Sequence, residues 1–144
     1  MNRQWIVETE FFGVQTNGEI DVIDITENVE HFISEIGLQE GNVTIFHPGS
    51  TASITTIEYE RGLVEDLKEM INILIQKGIG YQHDLIDNNA HSHLRATLLR
   101  PSLVVPVVGH SLLLGKWQQI VLVDLDVRPR NRRVVMQAMG IKER

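Results

Sequence analysis

The first 25 residues of the chain have the apolar content and the alternation of β-strands. Residues 4–14 are rich in strand-forming side chains, and residues 19–25 alternate as EIDVIDI. Asn17-Gly18 between them is a strong hairpin signal, because both residues tolerate a positive φ. The pattern therefore predicts two antiparallel strands joined by a hairpin.

Helical spacing of apolar residues replaces this alternation twice. The first helix is predicted from Thr26 to Gly37, with glutamates in its first turn and an apolar face made of Val29, Phe32, Ile33 and Ile36. The second is predicted over residues 61–76 and ends at Gly78. Its apolar stripe consists of Leu63, Leu67, Met70, Ile71 and Leu74.

The remaining segments are short and are separated by glycine and proline. VTIF and ASITTIEY precede the second helix as strands, and HSHLRATLLR after it is typical of a short helix that stops before Pro101. Four further strands are predicted in SLVVPVV, SLLLG, QQIVLVDLDV and RRVVMQAM. Because strands and two to three helices follow each other without regular alternation, we expect an α+β fold around antiparallel β-sheet, as a single domain over residues 1–144.

Composition limits the function. The 144 residues carry a formal charge of -6, which opposes nucleic acid or an anionic membrane as the main partner. No apolar run approaches the roughly 20 residues of a membrane span, and the first residues do not resemble a signal peptide. The chain has no cysteine, so metal ligands would have to be His, Asp, Glu or carbonyl oxygen. We expect a cytoplasmic protein with no nucleic-acid and no membrane partner.

Three of the six histidines are close in sequence, at His83, His91 and His93. Neutral imidazole is a common ligand for zinc and similar ions, and Asp84 and Asp87 are available to orient the rings. In an extended segment His91 and His93 project on one side and bind an ion together with His83. On a helix they diverge by about 200°, so only one of them joins His83. The alternative to both is a set of polar loop histidines bonded to solvent and to carbonyl oxygens.

Four segments in a fixed order carry a family resemblance. STASITTIEYERGLVEDL, DNNAHSHLRATLLRPSLVVPV, GKWQQIVLVDLD and RPRNRR together resemble the YjbQ-like family, whose members are often described as secondary thiamine-phosphate synthases. The match extends from about residue 48 to residue 140. It implies a compact α+β homotrimer with polar sites near the subunit boundaries. It also implies a divalent metal ion on histidines in some members, for which zinc is the candidate.

The resemblance assigns roles to individual residues. It implies a metal site formed by His83, His91 and His93, and catalytic roles for Glu58, His83 and Gln118. The substrate-binding residues that we predict are Ser50, Thr51, Ser53, Trp117, Arg128 and Arg130, with Arg132 in the same arginine turn. Many members have P-H-T where this chain has Pro48-Gly49-Ser50, so the family's first histidine is replaced by Gly49. His47, two positions earlier, is a substitute only if the loop places it differently.

Each of these positions also has a structural interpretation. The hydroxyl-rich turn at residues 49–53 offers N–H and O–H donors to a phosphate, but it lacks the Gly-Lys of a P-loop and is equally well a plain tight turn. Glu58 is either a partly buried acid or base, or a solvated glutamate at a strand end. Trp117 is a substrate contact, or a core or interface residue. Arg128 and Arg130 bind phosphate, or form salt bridges to Asp124 and Asp126.

Two functional hypotheses follow. In the first, the protein is a metal-dependent enzyme that acts on a phosphorylated small molecule, with thiamine-phosphate synthase activity (pyrimidine pyrophosphate plus thiazole phosphate) as the specific reaction that the resemblance implies. Metal ions and arginines both stabilise a leaving pyrophosphate. In the second, the protein is a non-catalytic trimer that binds a metal ion or another ligand, an alternative favoured by the missing histidine at Gly49.

Overall fold

A computed structural model of the chain describes residues 2–143 and contains eight strands and three α-helices in that range. The strands are β1 (Arg3–Thr16), β2 (Asp21–Asp24), β3 (Glu40–Phe46), β4 (Ala52–Glu58), β5 (Ser102–Val108), β6 (Ser111–Leu112), β7 (Gln118–Asp124) and β8 (Arg130–Glu143). The helices are α1 (Thr26–Ile36), α2 (Arg61–Leu74) and α3 (Ala90–Leu99), and a 3₁₀ turn covers Gln82–Leu85. Every strand pair is antiparallel, so the predicted α+β class is confirmed.

The strands form two sheets that share one core. The larger sheet has the order β1-β8-β3-β5-β6 and the smaller has the order β2-β7-β4. Apolar side chains of both sheets and of α1 pack together in the main cluster, which includes Ile120 and Leu122 of β7. Val121 and Val123, which alternate with them, pack with residues of α2 and α3 in a second cluster. Because β7 is buried on both faces, its sequence is a continuous apolar run and not an alternation.

The predicted N-terminal hairpin is wrong. β1 pairs along its whole length with β8, whereas β2 pairs with β7 in the other sheet. Gly18 does have the expected positive φ, 88°, but its backbone packs against Arg128, where an added Cβ would lie 3.0 Å from the carbonyl carbon. The Glu19 N–H donates to the carbonyl of Asp126 at 2.6 Å. The segment after β1 therefore crosses from one sheet to the other instead of folding back.

The helices follow the sequence in part. In α1, Val29, Phe32 and Ile33 are buried as predicted, and the helix ends at Gly37 with φ 67°. Helix α2 starts after Glu60, whose carboxylate accepts from the N–H groups of the next turn. Its buried residues are Val64 and Ile71, whereas two members of the predicted stripe, Met70 and Leu74, are exposed. None of the helices within residues 2–143 is long and apolar enough to cross a membrane.

The face of the larger sheet that points away from the core is apolar. Along β1, β3, β5 and β8 the residues that alternate with the core positions remain exposed, and we call them the outer sheet face: Trp5, Val7, Phe11, Phe46, Val104, Val108 and Met139. The guanidinium carbon of Arg133 lies 3.9 Å from the ring centre of Phe11 on the same face. The polar pair Thr9 and Gln137 lies between the apolar residues on this face. Several exposed apolar side chains on one sheet face are typical of a protein–protein contact.

Candidate functional site

A polar cleft lies where the turn before β8 faces the loop before α3. Its volume is about 580 Å³, and we call it the arginine cleft. Three cationic side chains, two carboxylates and two amides line it, together with Val127: Lys77, Arg128, Arg130, Asp87, Asp126, Asn88 and Asn89. This arrangement is suited to a ligand that carries negative charge and hydrogen-bond acceptors.

Arg128 and Arg130 have different surroundings in the arginine cleft. Arg128 is exposed, and it forms no salt bridge with any residue of the described range 2–143. Arg130 donates from Nε to Asp126 Oδ2 at 2.6 Å. Burial acts to raise the pKa of Asp126, but the hydrogen bonds from Arg130 and from the Val127 N–H outweigh it, so this pKa lies below its ordinary value. The salt-bridge alternative thus holds for Arg130.

The side chain of Arg132 is buried and bonds to groups inside the protein. Its Nε and Nη2 donate to the two carboxylate oxygens of Asp124 at 2.9 Å each, and Nη2 also donates to the carbonyl and hydroxyl oxygens of Thr51. The hydroxyl of Thr16 donates to the same carboxylate. Burial acts to raise the pKa of Asp124, but the bonds from Arg132 and Thr16 outweigh it, and the pKa is lowered. This buried network ties β1, β4, β7 and β8 together.

The hydroxyl-rich turn is partly closed to ligands. Thr51 is buried, and its hydroxyl donates to Asp126 Oδ2 at 3.3 Å while accepting from Arg132. Ser53 is fully buried and donates to the carbonyl of Arg100 at 2.6 Å. Ser50 alone of the three predicted hydroxyls is exposed. The structural interpretation therefore fits Thr51 and Ser53, and a phosphate contact in the free protein remains a prediction for Ser50.

His47 occupies the space beside Gly49. Its Nδ1 donates to the carbonyl of Arg133 at 3.1 Å, which leaves the lone pair on Nε2. Nε2 is buried without a hydrogen-bond partner among the described residues, and it lies 2.4 Å from the position that a Cβ at Gly49 would take. Burial is the main reason why the pKa of His47 lies below its ordinary value, so the ring is neutral. A side chain at position 49 and this imidazole exclude each other.

The three histidines do not converge, because the helical arrangement applies. Asn89 is the N-cap residue of α3, and the two histidines in its first turn point in different directions. His93 meets His83 edge to face, with ring centres 5.1 Å apart, and His83 Nε2 donates to Asn89 Oδ1 at 3.1 Å. His91 is 1% exposed and donates to Glu19 Oε2 at 2.8 Å. The predicted grouping of His91 with the other two is not found.

The described side chains of one chain do not supply a complete set of ligands for a metal ion. Within residues 2–143 no group of three or more His, Asp or Glu side chains has the geometry to hold an ion. His83 and His93 are two adjacent imidazoles, whereas zinc in proteins takes three or four protein ligands. The donor set of a single chain is therefore incomplete for the ion that the resemblance implies.

The other predicted site residues lie at the opposite end of the small sheet. Ala52 pairs with Asp124 at one end of the β4–β7 ladder, and Glu58 pairs with Gln118 at the other. The six intervening residue steps separate these ends by about 20 Å. Glu58 is exposed, not partly buried, which fits the solvated strand-end alternative. Within one chain Glu58 and Gln118 are thus neighbours at one end of the small sheet, and His83 is not with them. The three residues predicted to be catalytic do not form one site in a single chain.

Gln118 borders a second cleft instead, and the neighbouring Trp117 is not among the residues that line it. Trp117 is 64% exposed, with the ammonium of Lys116 over its ring, so it is not a core residue. Gln118 donates to the Thr56 hydroxyl at 3.1 Å and accepts from the Gly115 N–H at 3.0 Å. A cleft of about 530 Å³ beside Gln118 is lined from α1, β6 and the segment 114–119.

Several residues of the arginine cleft were not singled out as site residues from the sequence. Asn88 and Asn89 lie inside the DNNAHSHL segment, where their density was the available signal. Lys77 precedes Gly78 in the connection after α2 and belongs to no motif. Glu19 was assigned to a strand, but its carboxylate contacts both Lys77 and His91. Only the tertiary structure brings these distant segments together.

Comparisons with known proteins agree with the fold. A family model described as UPF0047 protein YjbQ-like matches residues 10–141. A UPF0047 protein of Archaeoglobus fulgidus is 41% identical, covering 88% of this chain and 97% of its own, and one of Methanothermobacter thermautotrophicus is 38% identical, covering 93% of each.

Solved structures give the same result. A hypothetical protein of Aeropyrum pernix is 39% identical and superposes with a TM-score of 0.88, covering 92% of this chain and 98% of its own. A YbjQ-like protein of unknown function from Sulfolobus solfataricus is 35% identical, with a TM-score of 0.86 over 94% of this chain and 99% of its own. The family match, the sequence relatives and the shared fold all point the same way: this chain belongs to the YjbQ-like UPF0047 family.

Proposed function

We propose that the protein is an enzyme that binds a phosphorylated small molecule in the arginine cleft. The observation that carries the proposal is the convergence of Arg128 and Arg130 on one cleft that also presents two asparagine amides. Guanidinium groups pair bidentately with phosphate oxygens, and amide N–H groups donate to the same acceptors. A phosphate or pyrophosphate group is the ligand chemistry that these side chains match best.

The proposed reaction is the transfer that the family resemblance implies. A pyrimidine pyrophosphate would lose its pyrophosphate group while the pyrimidine carbon bonds to the nitrogen of a thiazole phosphate, giving thiamine phosphate. Such a step is accelerated by cations fixed where the negative charge of the leaving group develops. Arg128 and Arg130 would supply that charge. His83 and His93, beside Asn89 at the cleft wall, are the candidate groups for holding or moving a proton.

The same proposal includes a divalent ion, with zinc as the candidate, on the condition that some of its ligands come from outside the single chain. His83 and His93 would be two of its ligands, and oxygen atoms of the substrate or a neighbouring copy would have to complete the set. Such an ion would add Lewis-acid stabilisation of the leaving group. Measuring the metal content of the purified protein and of a His83→Ala, His93→Ala variant tests this part directly.

Pyrophosphate binding is the first test of the proposed function. Isothermal titration with sodium pyrophosphate should give a dissociation constant that rises at least tenfold in an Arg128→Ala, Arg130→Ala variant, since two charge-assisted contacts are lost. Arg61→Ala, which removes an exposed arginine from the start of α2, is the matched control and should bind like the wild type. Equal binding by all three proteins would show that the arginine cleft is not the anion site.

Turnover is the second test. The protein is incubated with the pyrimidine pyrophosphate and the thiazole phosphate, with and without zinc or magnesium, and thiamine phosphate and released pyrophosphate are quantified by chromatography. Product formation that disappears in the double arginine variant supports the specific reaction. Tight pyrophosphate binding without product supports an enzyme for another phosphorylated substrate or the non-catalytic alternative.

Self-association is proposed for both hypotheses. The outer sheet face is the observation that favours it, because a second copy of the chain would bury those exposed apolar side chains. We propose the homotrimer that the resemblance implies, in a cytoplasmic location. Light scattering on a size-exclusion column should report three subunits for the wild type, and a smaller mass after Phe11→Glu. A monomeric wild type would refute the trimer.

The alternative function is a non-catalytic trimer that binds a metal ion or another ligand. The observation that favours it is the absence of an imidazole at position 49 together with the division of Glu58 from His83. Removing His83 and His93 discriminates between the two hypotheses. Lost turnover with intact assembly supports the enzyme, whereas dissociation or melting of the assembly supports a structural ion.

A further inference from the structure

A four-residue charge network lies behind the arginine cleft and reaches it through one side chain. The carboxylate of Glu19 accepts from Lys77 Nζ at 2.6 Å through Oε1 and from His91 Nε2 at 2.8 Å through Oε2. Arg95 Nη1 lies 3.6 Å from the same Oε2. His91 and Arg95 are 1% and 2% exposed, while Lys77 is 63% exposed and lines the cleft.

The buried end of this network is rigid. Arg95 donates to the carbonyl of Ile75 from two nitrogens, at 2.8 and 3.0 Å, and to Asn72 at 3.1 Å, so it joins α3 to the end of α2. The backbone N–H of Glu19 is bonded to the carbonyl of Asp126, which is itself a cleft residue. The Glu19 carboxylate is therefore fixed relative to the cleft wall on both sides.

The charges of the network do not balance. One carboxylate, Glu19, faces two permanent cations, Lys77 and Arg95. Burial acts to raise the pKa of Glu19, but the hydrogen bonds from Lys77 and His91 outweigh it and the pKa is lowered, so the carboxylate is charged at neutral pH. Lys77 is the exposed member, and it lines both the arginine cleft and a neighbouring cleft that Glu19, Glu65 and Glu69 also line.

We propose that Lys77 is a further anion-binding residue of the arginine cleft, and that Glu19, held by His91 and Arg95, is the positioning residue that sets its ammonium group there. The inference rests on the proposed function and names a binding residue that no motif contains. It gives His91 a role different from metal ligation. A lysine side chain normally loses much conformational entropy on binding a ligand, and the bond to Glu19 fixes it in advance.

The test is a titration of sodium pyrophosphate into single variants. Lys77→Met should weaken binding roughly 10- to 100-fold, as expected for one charge-assisted hydrogen bond. Lys68→Met is the matched control, because Lys68 is also paired with a glutamate, Glu65 at 3.2 Å, but does not line the arginine cleft. It should change the affinity less than twofold. Unchanged melting temperatures establish that both variants are folded.

A double-mutant cycle tests the positioning role of Glu19. Glu19→Gln removes a negative charge near the anion as well as the bond to Lys77, so its net effect alone has no fixed sign. The loss caused by Lys77→Met should nevertheless be at least threefold smaller in the Glu19→Gln background. Equal losses in both backgrounds would overturn the positioning role. A purely structural role of Glu19 would change stability and leave this ratio at one.

The outcomes separate this inference from the proposed function. If Lys77→Met binds pyrophosphate like the wild type while the Arg128→Ala, Arg130→Ala variant does not, the inference is wrong and the proposed function stands. If the wild type does not bind pyrophosphate, both are wrong. His91→Gln retains a donor for Glu19 but no imidazole, so near-normal binding in this variant supports positioning. Binding lost in His91→Gln with intact folding would overturn it.

Discussion

Replacing Gly49 with alanine should destabilise the protein through one contact. The added Cβ would lie 2.4 Å from His47 Nε2, about 1 Å closer than an ordinary contact, so the imidazole has to move. Moving it strains the packing of a residue that is 97% buried and breaks the hydrogen bond from Nδ1 to the Arg133 carbonyl. Gly49 does not have a positive φ, so alanine suits its backbone.

The magnitude follows from three contributions. Overpacking costs about 1–3 kcal/mol, and the lost hydrogen bond about 0.5–1.5 kcal/mol. The lower entropy of the unfolded chain with alanine returns about 0.4–1 kcal/mol. The free energy of unfolding, measured by urea denaturation, should therefore fall by about 0.5–4 kcal/mol. Gly13→Ala is the control, since the nearest atom to its added Cβ is 3.9 Å away, and this variant should be at least as stable as the wild type.

Making the same substitution in a variant that lacks the His47 imidazole identifies the contact. Once His47→Ala has removed the imidazole, Gly49→Ala should cost nothing, although His47→Ala itself leaves a cavity and lowers stability. If Gly49→Ala costs the same with and without the imidazole, His47 does not occupy this space. The exclusion between a side chain at position 49 and an imidazole at position 47 would then be refuted.

Three other predictions concern the buried polar groups. Folding lowers the pKa values of Asp124 and Asp126, so both carboxylates stabilise the folded protein at pH values above their ordinary pKa of 3.8. The urea midpoint should therefore fall as the pH drops below about 4, and it should fall less in the Asp124→Asn variant. The pKa of His47 is lowered from 6.5, so the neutral ring contributes to stability above pH 6.5, and this contribution is lost as the pH falls through the pKa of the folded protein. His47→Gln should remove this part of the dependence of stability on pH. Arg132→Met should cost about 3–5 kcal/mol in urea denaturation, because it leaves the buried carboxylate of Asp124 without a countercharge, whereas Arg130→Met should cost less, because Asp126 keeps the hydrogen bonds from the Thr51 hydroxyl and the Val127 N–H.

The sequence predicted the local elements better than their partners. Apolar spacing located α1 and α2, and Pro101 marked the end of α3, because these signals act within a few residues. The hairpin at Asn17-Gly18 failed because turn chemistry describes a backbone conformation, not the strand that follows it. Gly18 has the expected φ but serves to let Arg128 approach. Pairing of β1 with β8, more than a hundred residues apart, has no local signal.

The same difference between local signals and distant partners holds for the site. The sequence placed Arg130 and Arg132 in one arginine turn, but it could not show that Arg132 bonds to Asp124 and Thr51 in the interior while Arg130 borders the arginine cleft. The helical alternative for the histidines was derived from geometry, and it correctly separated His91 from His93. What the sequence could not supply was the end of the sheet on which each residue lies.

The position of β8 has a consequence for biosynthesis. This strand, Arg130–Glu143, lies between β1 and β3 in the larger sheet, so until it has been made β1 has no partner and β3 is paired only with β5. A nascent chain halted before residue 130 would leave β1 and one edge of β3 without a partner, so the five-stranded sheet could not be completed. We therefore expect the larger sheet to be completed only after β8 has been made, and ribosome-stalled chains of increasing length should gain protease resistance abruptly once β8 has left the exit tunnel.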